Sequence, residues 1–134
     1  MSRFSTSANA WPPRALGLLR IVTAFLFIQH GTAKLFHVPH IEMMDGVQLM
    51  SLVGFAGVLE VVGGALLLLG LFTRPVAFIL SGEMAFAYFM QHAPNNILPI
   101  LNGGEMAVQW CFLFLYFAAA GAGAFSVDGS RSRR

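Results

Sequence analysis

Apolar residues run almost without interruption through four stretches of this chain: Arg14 to Phe36, Leu49 to Leu71, Pro75 to Gln91 and Gly104 to Ala122. Each is close to the roughly 20 residues that carry a helix across the hydrocarbon core of a bilayer. Lipid offers no partner to backbone N–H and C=O groups, so a spanning segment must be a helix or a strand of a closed barrel. Barrel strands alternate apolar and polar residues, whereas these runs are continuous. The pattern predicts helices over about 14–36, 49–71, 75–91 and 104–122. The expected fold class is all-α: an integral membrane four-helix bundle, with 1–134 as one domain, a short N-terminal segment and a basic C-terminal tail, "SRSRR", read as disordered.

Composition excludes the main alternative. Of 134 residues, 57% are hydrophobic and only 10% charged. A soluble bundle would lack a polar face to meet water. The opening "MSRFSTSANAWPPRALGLLRIVTAFLFIQHG" resembles a secretion signal, but its small residues precede the apolar run and no A-x-A site follows it, so it reads as a retained first helix.

Charge placement gives an orientation, because Lys and Arg near helix ends favour the cytoplasmic side. Arg3 and Arg14 precede the first helix, Arg74 lies between the second and third, and Arg131, Arg133 and Arg134 follow the fourth. With Lys34 assigned to the first helix, "FHVPHIEMMDGVQ" and "HAPNNILPILNGG" hold no Lys or Arg. Both termini are therefore expected in the cytoplasm. The formal net charge of +2 comes mainly from these ends and suits a lipid bilayer as partner. It leaves no nucleic-acid footprint. The single Cys111 excludes an intrachain disulfide or a C-x-x-C pair.

Ionisable residues inside apolar helices are costly, so they face the bundle interior and mark candidate sites. Here they are Arg20, His30, Lys34, Glu60 and Glu83, with Glu105 at a boundary. At helical spacing Arg20, His30, Gly31 and Lys34 share one face of the first helix. Glu60 shares a face of the second with Ala56, Gly57 and Gly64, small residues that admit another backbone. At a rise of ~1.5 Å per residue, Glu60 sits ~16 Å from either end of its expected helix, Arg20 ~9 Å deep and Glu83 ~13 Å deep. These depths predict that Arg20 reaches Glu60, Glu83 or both. Two carboxylates sharing one cation cannot comfortably both ionise, which makes Glu60, Glu83, Arg20 and His30 candidate proton-exchanging or ion-pair residues. A purely structural ion pair explains the same residues. Lys34, His92 and Glu105 form an expected outer polar cluster with His30, Lys34 being countered by Glu105.

Other chemistry is poorly supported. His30 and His92 lack the context of haem ligands, and no flavin or iron–sulfur motif is present. His37 and His40 form an H-x-x-H without further ligands in sequence, so no metal site is expected. Phe86, Tyr88, Phe89, Trp110, Phe112, Phe114, Tyr116 and Phe117 suit packing and interface anchoring, and also the lining of a quinone pocket.

Three motifs together carry a resemblance: H-G-x-x-K at His30, Gly31 and Lys34; E-x-x-G-G followed by L-G-x-x-T-R, at Glu60, Gly63, Gly64, Gly70 and Arg74; and N-G-G-E at Asn102 to Glu105. In this order the chain resembles the DoxX family from about Leu16 to Asp128. Asn102 suits a helix cap, and Glu105 suits the positive end of the fourth helix.

The resemblance implies a multi-pass protein of the bacterial inner membrane, associated in some relatives with quinone-linked sulfur oxidation or oxidative-stress defence. It implies no catalytic constellation. The expected function is a quinone-associated membrane subunit of an oxidoreductase or oxidative-stress system, with a bound quinone as the only candidate cofactor and a soluble or membrane redox partner. The alternative is a non-enzymatic small-molecule transporter, requiring a homo-oligomer, or a membrane anchor for a partner protein. Sequence leaves catalytic activity itself open.

Overall fold

A computed structural model of the protein describes residues 9–132. Arg3, Arg133 and Arg134, counted above among the cytoplasmic charges, lie outside the described residues. Every regular element among them is helical: α1 (Trp11–Phe36), a 3-10 turn (Glu42–Met44), α2 (Leu52–Leu69), α3 (Thr73–Ala87), continued by a π-helical turn (Tyr88–His92), α4 (Pro99–Asn102), α5 (Glu105–Ala120) and α6 (Val127–Arg131).

The helix boundaries have local causes. Proline occupies the first turn of α1, where its missing N–H costs nothing, so the helix starts three residues before the expected Arg14. Ser51 caps α2 by accepting the Gly54 N–H at 3.1 Å. Gly70 ends α2 in the left-handed region at φ 68°. A side chain there would also strike the Arg20 guanidinium and Ser126, so Gly70 is required twice over. Among the described residues, only α1, at 26 residues, and α2, at 18, are long and apolar enough to cross a membrane; α5 is a shorter apolar helix. Of the segment read as a disordered tail, Ser130 and Arg131 instead lie in α6, which is capped by Ser126, the acceptor of the Gly129 N–H at 2.9 Å.

The chain divides into two compact units: residues up to Thr73 together with Ala122 onward, and Arg74–Gly121. In the first unit α1 packs along α2. Gly17, Arg20, Thr23, Ala24, Phe27 and Gly31 form its buried stripe. Leu18, Val22 and Phe25 are exposed, an apolar exterior suited to lipid. The backbones approach most closely at Gly31, where an added Cβ would lie 2.8 Å from the Gly57 carbonyl and from Val61. The segment after Gly121 returns to α1, with the Ala124 N–H donating to Pro13 O at 2.8 Å.

In the second unit Ser81 Oγ donates to Cys111 O at 2.7 Å, joining α3 to α5. Tyr88 donates to Ile97 O at 2.7 Å and accepts from Asn102 Nδ2 at 3.1 Å. Asn102 Oδ1 accepts the Gly104 N–H at 2.7 Å, just before α5 begins. Arg74 Nη1 donates to Ala119 O at 2.5 Å and covers the free carbonyl end of α5.

Candidate proton-exchange site

The register of α1 on α2 decides which charges meet. Ile28 faces Gly64, Gly31 faces Gly57 and Val61, and Lys34 reaches Gly57 through its Cβ. These contacts run antiparallel and place Glu60 opposite the turn containing Gly31. Lys34 is three residues beyond that level, within reach of its long stem. Arg20 is eleven residues before it, roughly 17 Å along the axis.

Glu60 therefore pairs with Lys34, Nζ to Oε1 at 2.6 Å. The expected pairing with Arg20 is corrected, and so is the assignment of Lys34 to an outer cluster countered by Glu105. Glu60 is only 2% exposed, and the Lys34 side chain 16%. His30 lies one turn before Lys34 on α1, is half-buried, and feels the Lys34 charge. The pair sits near the middle of α2, against the glycine-lined crossing of the two helices.

Arg20 is wholly buried and does different work. Its Nε donates to Leu67 O at 3.1 Å, its Nη1 to Ala122 O at 3.4 Å and its Nη2 to Phe125 O at 2.7 Å. It thus neutralises the carbonyl end of α2 and pins the C-terminal segment there. Asp128 supplies an opposing charge nearby. Its carboxylate accepts the Phe72 N–H at 3.0 Å and the Thr73 N–H at 2.9 Å, at the start of α3. Burial alone would raise the Asp128 pKa, but these N–H donors and Arg131 more than offset it and hold it below the ordinary aspartate value. Sequence reasoning missed Asp128; its signal was the Ser-x-Asp pattern of a capped helix start at Ser126.

The remaining candidates belong to the second unit. Glu83 is half-buried on α3. His92 Nδ1 donates to Asn102 O at 3.1 Å, and Glu105 is exposed in the first turn of α5. Tyr88, Trp110, Phe114 and Phe117 are core residues. Phe112 and Tyr116, with Val108, Gln109 and Leu113, line an open trough along α5. Among the described residues, no group of three or more His, Cys, Asp and Glu side chains stands arranged to hold a metal ion.

Helical units with two segments of membrane-spanning length and a buried mid-helix ion pair define a class: membrane-associated helical proteins with charge held inside. The DoxX family model matches residues 15–93. The chain belongs to the DoxX family. The match covers the H-G-x-x-K and E-x-x-G-G motifs and hence both halves of the Lys34–Glu60 pair. An uncharacterized protein of Haemophilus influenzae is 51% identical over 121 residues, spanning 87% of this chain and 90% of the relative. No solved structure matches the chain.

Proposed function

We propose that this protein is a multi-pass component of the bacterial inner membrane, a four-helix bundle with both termini cytoplasmic, serving a quinone-linked oxidoreductase or oxidative-stress system. In this reading the Lys34–Glu60 pair exchanges the protons. The observation that carries it is the pair itself: a carboxylate buried at mid-helix, 2.6 Å from an ammonium. Such a pair is one proton shift from neutrality, and low dielectric favours the neutral form over separated charges.

A quinone would supply two-electron chemistry coupled to two protons, with electrons passing to or from a redox partner. The residues fit that group, since its oxygens need donors beside apolar walls. Lys34 Nζ and the His30 imidazole can donate to such an oxygen, and Glu60 Oε1 can take or return the proton that Lys34 holds. The apolar faces of α1 and α2 exclude water from the exchange.

The experiment is the identity of the small molecule that co-purifies from mild detergent. An isoprenoid quinone is expected, retained by wild type and depleted in Lys34→Met. Phospholipid alone, in repeated preparations, would overturn the quinone reading in favour of a transporter or anchor.

A further inference from the structure

The geometry points to a docking surface for anionic phospholipid at the end of the first unit where α1 begins, α2 ends and residues 122–132 return. Its aromatic part is Trp11, Phe72 and Phe125, exposed by 64%, 56% and 67%. Its basic part is Arg14 and Arg131, both exposed.

The backbone sets two of these aromatics apart. Phe72 and Phe125 stand in the left-handed region, at φ 51° and 59°. A bulky side chain is disfavoured there, and glycine would take either position at no steric cost. Both backbones are nonetheless held in place: the Phe72 N–H donates to Asp128 Oδ1 at 3.0 Å, and Phe125 O accepts from Arg20 Nη2 at 2.7 Å. Each residue stays more than half exposed, so little packing inside the unit offsets the strain. Strain kept at an exposed ring indicates a use for that ring outside the unit.

The contacts also gather the surface at one end. The Ala124 N–H donates to Pro13 O at 2.8 Å, which sets Phe125 beside the first turn of α1. Trp11 lies in that turn, with the Arg14 guanidinium 5.8 Å from the centre of its ring. Asp128 joins the same returning segment to the turn that carries Phe72.

Charge selects the lipid. Within residues 9–20, 67–73 and 122–132 the ionisable side chains are Arg14, Arg20, Asp128 and Arg131. Arg20 is buried with its donors on backbone carbonyls, and Asp128 accepts the Phe72 and Thr73 N–H groups. Two outward guanidiniums remain, and no uncommitted carboxylate opposes them. Guanidinium binds phosphate as a fork, and aromatic rings settle at headgroup level. An anionic phospholipid offers both partners, whereas a zwitterionic headgroup carries its own competing cation. The surface depends on neither the quinone nor the Lys34–Glu60 pair.

The test melts the untagged full chain in nonionic detergent, with phosphatidylglycerol, phosphatidylcholine or no lipid in the micelles. Each variant is read against its own lipid-free melt. Phosphatidylglycerol should raise the wild-type melting temperature by roughly 4 °C or more, and added salt should shrink that shift. Phosphatidylcholine, and inorganic phosphate at matched charge, should leave it unchanged. Arg14→Gln combined with Arg131→Gln should lose at least about half of the shift, the remainder coming from the aromatic rings. Phe72→Gly and Phe125→Gly should melt no lower than wild type without lipid, because glycine relieves the left-handed strain, yet lose a similar part of the shift. Equal shifts from the two lipids, a shift reproduced by phosphate, or a full shift in the arginine or glycine variants would overturn the surface. So would a lower lipid-free melt in both glycine variants, which would show that the rings serve the fold.

Discussion

Three charged residues of the first unit divide the labour of holding charge inside an apolar protein. Arg20 spends its donors on carbonyls at a helix end, whereas Lys34 and Glu60 pair with each other midway along α2. Hydrogen bonds to charged groups are each worth about 1.5–3 kcal/mol, so Arg20→Gln should lower stability by at least about 3 kcal/mol. Detergent melting curves check this: Arg20→Gln should melt well below wild type. Arg20→Gln melting with wild type would refute the clamp. The burial of Glu60 is legible in sequence, because a single acid in an apolar run beside glycines has to face protein. Its partner is not, because depths counted from helix ends assume aligned ends. The actual register is set by the Gly31–Gly57 approach, which no periodicity encodes.

The elements show the same division between local and long-range information. The helices and most of their limits follow from Ser51, Gly70, Gly104 and the prolines near Trp11, signals carried within a few residues. The fold-back of residues 122–132 does not, since it depends on Arg20 and Asp128 meeting groups more than fifty residues distant. Asp128 makes this clasp pH-sensitive. Its folded-state pKa is depressed, so its contribution is fully present above the ordinary value of 3.8 and is lost as pH falls through the folded value. Melting of wild type should therefore decline on the acid side below that value. Asp128→Asn should melt lower at neutral pH and lose that part of the acid dependence. Superimposable pH profiles for the two proteins would contradict the clasp.

For the whole molecule, composition and hydropathy make an all-helical membrane protein legible, while the number of spans and the orientation rest on proposal. The basic residues predict an active alkaline phosphatase fusion at Asn96 and an inactive one at Gly129; the reverse would invert the topology. The family motifs place the Lys34–Glu60 pair within the matched region, and the proton-exchange reading depends on that pair. Its most direct test is complementation of a strain lacking the gene, read as survival under oxidant with membrane abundance measured in parallel. Glu60→Gln keeps the shape and still accepts a hydrogen bond from Lys34. It should reach wild-type abundance yet fail to protect. Protection equal to wild type, or a loss of abundance that accounts for the loss of protection, would show that the pair is a helix clamp and not a site of proton exchange.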